Sequence, residues 1–331
     1  MDIVIVGGGV SAFEAAVAAR KNCPDCNIVI HSAEKVLPYR RPALPGLISA
    51  SGAEFEKMFI RKEEFYTQNN ISVVLDSRLT GMDTAKKELT FNGSQICRYD
   101  KLVLATGGKA FIPPLPGADK ENVFTLRTLA DLTALRQKIA SGATRFTIIG
   151  GGILGLEVVD ALLKCQVKVT LLERSERLLQ KNVSPEDSLM MMDALKEIPG
   201  FKLICNASAR EITDSGVLLE SGEVIESDVI LFSTGSIPEL SGISSDIAVE
   251  RGIIVNNRMQ SSVADIFACG DNSQFEGQVC GLYTTSRAMA AVAGANAAGG
   301  QSEYIPKQNS IMLNVLGFKM ANDGSVQKVA K

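Results

Sequence analysis

The chain has 331 residues, 46% hydrophobic and 21% charged, with a formal net charge of -3, an ordinary globular make-up with length enough for two or three domains. No long Lys/Arg run gives a footprint for nucleic acid or an anionic membrane, and no apolar stretch is long enough to span a bilayer. The first strand starts almost at Met1, which leaves no room for a signal peptide and points to the cytoplasm, where seven scattered cysteines read as reduced thiols.

Strand Asp2–Val6, helix Ser11–Lys21 and strand Cys26–Ile30 make a βαβ unit built around IVIVGGGVSA. Gly7 permits the tight strand-to-helix turn, and Gly9 lets a pyrophosphate approach the backbone. Ala12 takes the third position of the dinucleotide fingerprint, with Ser11 beside it. The helix N-terminus adds free N–H groups and a positive dipole end. An acid at the end of the second strand usually holds the ribose hydroxyls, but this strand ends in His31, so Glu34 is the expected ribose ligand. His31, the only histidine, reads as a loop residue near the adenosine. Cys23 and Cys26 form CPDC, which invites a redox reading. The turn lies at the sheet end opposite the glycine loop, so incidental thiols are expected; no further ligands complete a metal site.

Leu37–Leu47, LPYRRPALPGL, reads as an extended, proline-punctuated segment that cannot be a helix and carries Arg40 and Arg41. Glu54–Gln68 reads as an amphipathic helix, and Ile71–Leu75 and Lys87–Phe91 as strands. Lys101–Leu104 is a buried parallel strand ending in Ala105, Thr106, Gly107 and Gly108. Pro113, Pro114, Pro116 and Gly117 form a rigid linker, and helix Thr128–Ser141 leads into a second copy of the opening motif.

That copy is FTIIGGGILGLE, Phe146 to Glu157, with Gly150, Gly152 and Gly155 in the three fingerprint positions. One such loop is weak evidence, but two, each after a strand and before a helix, are strong. Strand Lys168–Leu172 ends in Glu173, where a carboxylate accepts from both ribose hydroxyls and repels a 2′-phosphate, favouring NADH over NADPH; Arg174 beside it moderates that preference. Helix Asp187–Ile198 carries Met190–Met192 as core filler, and a small hairpin turns at Ser221 and Gly222. Strand Asp228–Phe232 closes in Ser233, Thr234 and Gly235. Strand Ile253–Val255 precedes DIFACGD, which stops in a Gly270–Asp271 turn, and the N-terminus of helix Ser286–Ala298 aims back at that turn.

In order, GGGVSA, PYRRPAL, LVLATGG, FTIIGGGILGLE and DIFACGD resemble the FAD-dependent pyridine nucleotide-disulfide oxidoreductases. They are most similar to the branch of NADH:rubredoxin reductases, ferredoxin reductases of oxygenase systems and the flavin module of NADH-dependent nitrite reductases. The resemblance implies an α/β fold of two Rossmann-like dinucleotide-binding domains. Residues 1–112 and 237–300 would bind FAD, an inserted 113–236 would bind NAD(P)H, and 301–331 would be a short remnant of the interface domain. It implies the FAD pyrophosphate at Gly7 and Gly9, the adenine at the Leu79 backbone, and the flavin beside Thr106, Gly107, Gly270 and Asp271. Tyr283 stands where the branch often has tryptophan over the flavin. NADH would lie at Gly150, Gly152, Gly155 and Gly235, with Glu157 near the nicotinamide and hydride passing to the flavin.

Relatives usually carry a basic residue two positions after the leucine of PYRRPAL, paired with the glutamate matching Glu157; this chain has Gly46. Glu157 is therefore expected to rise in pKa or turn to the nicotinamide amide, unless Arg40 or Arg41 substitutes. Pro42 to Arg61 contains no cysteine of the kind disulfide-reducing members use, and Cys269 reads as inert core. The expected function is a FAD-dependent NAD(P)H oxidoreductase that passes electrons to a small rubredoxin- or ferredoxin-like carrier, NADH being preferred to NADPH. The rival is an accessory nucleotide-binding subunit of a larger redox complex, with a CPDC-dependent thiol reductase or an NADH oxidase behind it. A homodimer stays open.

Overall fold

Two β-branched runs, each ending in three glycines, head two parallel sheets. The computed structural model describes residues 1–50, 52–306, 313–320 and 325–328. In chain order the elements that position the glycine turns are β1 (Asp2–Val6), α1 (Val10–Asn22), β2 (Asn27–His31), β3 (Ile71–Val74) and β4 (Lys101–Leu104). There follow β5 (Val123–Phe124), β6 (Arg145–Ile149), α2 (Ile153–Lys164), β7 (Lys168–Leu172), β8 (Phe201–Ile204), β9 (Val229–Phe232), β10 (Ile266–Ala268) and α3 (Tyr283–Ala297).

The chain divides into two compact units. The first comprises Met1–Arg41, Glu56–Lys109 and Ser236–Asn309, the second Pro42–Phe55, Ala110–Gly235 and Ser310–Lys331. In the first, the sheet order is β10-β4-β1-β2-β3, with every neighbouring pair parallel. Ile3, Ile5, Leu102 and Leu104 are fully buried. Such unbroken apolar strands are what a parallel sheet covered on both faces requires. Each of these side chains contributes about 2 kcal/mol of burial free energy. Helices α1 and α3 meet closely because Gly294 has no side chain: a Cβ there would overlap the carbonyl of Ala15. An antiparallel meander, Leu79–Asp83, Glu88–Phe91 and Gln95–Arg98, completes this unit's support around the end of β2.

The second unit repeats the plan, with parallel order β8-β7-β6-β9-β5 and all four residues of β9 buried. Of the 301–331 segment, Leu313–Val315, Phe318–Met320 and Val326–Lys328 form an antiparallel sheet, tied to α2 where Leu316 N–H donates to Asp160 at 3.2 Å. The expected interface remnant at 307–312, 321–324 and 329–331 lies outside the described residues.

Several expected elements change. The continuous helix over Glu54–Gln68 breaks into a turn of helix at Gly52–Phe55, a 3-10 turn at Glu56–Met58 and the helix Glu63–Gln68. The cause is tertiary: Arg40 N–H donates to Met58 O at 2.9 Å and Ile60 N–H to Pro38 O at 3.0 Å, which holds the chain around Phe59 extended. The segment read as extended turns through 3-10 helix at Arg41–Ala43 and Pro45–Ile48, a pattern its prolines tolerate at first-turn positions. Helix α3 starts three residues before the expected Ser286, and the methionine helix, Pro185–Leu195, stops before the expected Ile198.

Candidate functional site

In both units the glycine turn sits where strand order reverses. β1 lies between β2 and β4, and β6 between β7 and β9, so the chain leaves each central strand to one side and returns on the other. The crevice at the carboxyl ends of such strands is where open parallel sheets bind ligands.

The two turns are built alike. Gly7, at φ +149°, faces the neighbouring strand's end, and a Cβ would overlap the carbonyl of Ala105. Gly150, at φ +114°, faces Ser233, and a Cβ would lie 2.5 Å from that carbonyl oxygen. Glycine is thus required at both positions, for conformation and for space. The middle glycines have different surroundings: nothing lies within 4 Å of a Cβ built on Gly152, and only Arg41 Nε, at 3.7 Å, approaches Gly9. Those two positions leave open a cradle that a side chain would fill. Gly155 packs the helix onto its own turn, since a Cβ would overlap Gly150 O; the equivalent Ala12 is fully buried.

The helix starts differ in a way that matches. The helix Leu129–Ala140 begins with a capping box between Thr128 and Asp131, and Pro185–Leu195 with Ser184 accepting from Asp187 N–H. Helices α1, α2 and α3 begin at Gly9, Gly152 and Leu282 with no side-chain cap and no acid in the first turn. A helix start left that way keeps its N–H groups and dipole for an anion or a polar ligand edge.

Around the first turn, Glu34 accepts from Arg41 Nη2 at 2.5 Å and from the buried Tyr39 hydroxyl at 2.8 Å. Arg41 also stacks on the Tyr39 ring, which places a guanidinium beside Gly9. Arg40 donates to Lys57 O at 3.1 Å. His31 is corrected: it is 9% exposed, stacked on Phe91 with ring centres 4.0 Å apart, and bonded through Nδ1 to Ser77 Oγ at 2.9 Å. Burial lowers its pKa, so it is a neutral core ring and not a loop residue. Leu79 pairs with that same Phe91. Thr106 Oγ1 donates to Glu239 O at 2.6 Å, beside Gly107 at φ +75°. Gly270 presses against Ser11, Ser286 Oγ donates to Asp271 Oδ1 at 3.0 Å, and Arg287 lies over the Tyr283 ring at 6.0 Å. The sequence marks Ser286 only as the start of that helix and does not single out Arg287; the helix starts three residues earlier, at Tyr283. Cys269 is fully buried and its thiol is pushed up to about 12, which keeps it inert.

In the second unit Glu173 accepts from Gly151 N–H at 2.7 Å and Ser175 N–H at 2.8 Å, which fixes its carboxylate at the strand end beside the turn. Gly235, at φ +102°, receives Phe111 N–H at 2.9 Å. Glu157, on α2, is raised to about 7, first by burial and then by the charge of Asp160. The 3-10 turn that carries Gly46 packs against α2. It is held by Arg136, whose Nη1 donates to Leu47 O, Ile48 O and Ala50 O at 2.6, 3.1 and 2.9 Å. Arg136 left no sequence signal, because its partners are backbone carbonyls far along the chain.

Two doubly wound units, each opening on an uncapped glycine turn at its switch point, define a protein built to hold two dinucleotides. The family model described as pyridine nucleotide-disulphide oxidoreductase matches residues 1–298, and the chain belongs to that family. It is 31% identical over 326 residues to the NADH-rubredoxin oxidoreductase of Clostridium acetobutylicum, covering 98% of this chain and 82% of that protein. The crystal structure of that enzyme superposes with a TM-score of 0.84 at 32% identity, covering 97% of this chain and 81% of the other. A rubredoxin-NAD(+) reductase of Pseudomonas putida is 33% identical over 276 residues, 82% of this chain and 71% of its own length. Among the described residues no helix is long and apolar enough to cross a membrane.

Proposed function

We propose that this chain is a FAD-dependent NADH oxidoreductase that passes electrons to a small rubredoxin- or ferredoxin-like carrier. The observation that carries the reading is the duplicated cradle: two glycine turns with equivalent steric floors, open middle positions and uncapped helix starts. The residues fit FAD in the first unit, where Gly7 and Gly9 with the N–H groups of α1 would take the pyrophosphate and Arg41 would add a cation at its edge. Glu34 would hold the adenosine ribose and the Leu79 backbone would border the adenine, Ser11 and Ala12 would continue the pyrophosphate turn, and Thr106, Gly107, Gly270 and Asp271 would line the flavin end. Bound FAD supplies the exchange between a two-electron hydride and single electrons.

Gly150, Gly152 and Gly155 would receive the NADH pyrophosphate, and Gly235 would border the same crevice. Glu173, its carboxylate fixed by two N–H donors, would accept both ribose hydroxyls and repel a 2′-phosphate. Glu157, half protonated at neutral pH, would hold a proton at its carboxyl and offer it to the nicotinamide carboxamide oxygen. Arg41 stays with the pyrophosphate in this reading, and Tyr283 offers an aromatic face at the flavin. Relatives named for rubredoxin support a partner redox protein; a cytoplasmic location and a homodimer are compatible with it.

Gly46 favours one other reading. Without a basic residue there, the same fold would serve as a slowly reduced accessory subunit of a larger complex. Anaerobic titration of the purified protein separates the two. The oxidoreductase reading expects a yellow protein whose flavin absorbance bleaches within seconds at one NADH per flavin and returns on adding rubredoxin. Colourless protein, or flavin that NADH leaves oxidised, refutes it.

A further inference from the structure

The structure joins Cys23 to Cys26 in a disulfide, which overturns the expectation of incidental thiols in that turn. The pair caps the C-terminal end of α1: Cys23 N–H donates to Ala19 O at 2.8 Å. Arg20 fastens the turn, giving Nη1 to Cys23 O and Pro24 O, Nε to Asn69 O at 2.9 Å and Nη2 to Asn70 O at 2.6 Å. The two sulfurs are not equivalent, because Cys26 is 4% exposed and packed into the core of the first unit, while Cys23 is only partly buried, with Pro24 and Asp25 exposed beside it. The 13 residues of α1, at 1.5 Å each, put the pair roughly 20 Å from the Gly7 turn. Electrons from a ligand at that turn therefore do not reach it directly.

We propose that Cys23–Cys26 is a reversible thiol–disulfide exchange site for external thiols, separate from the nucleotide sites. A thiolate of the external thiol attacks the Cys23 sulfur, the Cys23–Cys26 bond breaks, and Cys26 leaves with the electron pair and takes a proton. A second thiolate of the reductant then attacks the reductant's own sulfur in the mixed disulfide, releasing Cys23, which takes a proton, and the reductant as its disulfide. Two electrons move, and a disulfide oxidant such as oxidised glutathione reverses the reaction. Attack falls on Cys23 because it is the sulfur a solvent nucleophile can reach, and Arg20 and Lys21 in the same turn favour an arriving thiolate.

The test incubates the native holoprotein in glutathione buffers of graded redox ratio, quenches in acid, alkylates under denaturing conditions and weighs the intact chain. The chain has seven cysteines, five of them outside the disulfide, so the expected count is five adducts at the oxidising end, seven at the reducing end and five again on return. NADH-dependent flavin reduction persists at both ends. Cys26→Ser accumulates a glutathione adduct on Cys23, whereas Cys23→Ser leaves Cys26 unmodified. Seven adducts at every ratio, five at every ratio, an adduct on Cys26 in Cys23→Ser, or loss of flavin reduction on opening the bond would each overturn the proposal. The mass count does not depend on flavin, so it stands apart from the oxidoreductase reading.

Discussion

Glu157→Gln gives a stability signature with a definite sign. In the folded protein this carboxyl titrates near 7, raised from 4.5 first by burial and then by Asp160. In the unfolded chain it titrates near its ordinary value, so between about pH 4.5 and 7 the unfolded state has released a proton that the folded state keeps. Stability therefore falls as pH rises through that window and is level above it. At about 1.4 kcal/mol per tenfold, the group costs about 3 kcal/mol at pH 8, an upper figure because part of the side chain meets solvent. Glutamine carries no such charge, so the variant matches the parent near pH 4.5 and exceeds it by up to about 3 kcal/mol at pH 8. Urea titrations of nucleotide-free protein, followed by far-UV circular dichroism across that range, measure the difference. A constant offset at all pH values would refute the reasoning.

Gly46→Lys, at a site with open space around the Cβ and on a turn packed against α2, should lower the ionisation midpoint of Glu157 and flatten the parent's pH profile; an unchanged profile would separate the two positions. Gly150→Ala should destabilise the fold by about 3 kcal/mol or more, through its φ of +114° and the Ser233 carbonyl. Gly152→Ala should cost less than about 1 kcal/mol yet raise the KM for NADH by about tenfold, so thermal melts and steady-state kinetics together distinguish turn from cradle. Glu173→Ala should cut the preference for NADH over NADPH by about tenfold, read from the ratio of kcat/KM values; an unchanged ratio would remove Glu173 from the ribose site.

Amino-acid order alone determined the two βαβ units and their glycine turns, because a parallel strand buried on both faces must be apolar throughout and a turn at positive φ against a carbonyl must be glycine. Those constraints are local and leave a pattern in neighbouring residues. The rise at Glu157 is one of the outcomes that the resemblance implies, because this chain has Gly46 where relatives carry a basic residue; that burial is its main cause only the folded chain shows. What tertiary structure decided involves partners distant in sequence. His31 became a core ring because Ser77 and Phe91 meet it, and Glu54–Gln68 lost its middle because Pro38–Arg40 pairs with Met58–Ile60. Arg136 went to the carbonyls around the Gly46 turn, while Arg41 with Glu34 and Cys23 with Cys26 lie near each other in the chain and meet only through the turns between them. Backbone carbonyls and ring faces carry no residue code, so partnerships through them appear only when the chain is folded.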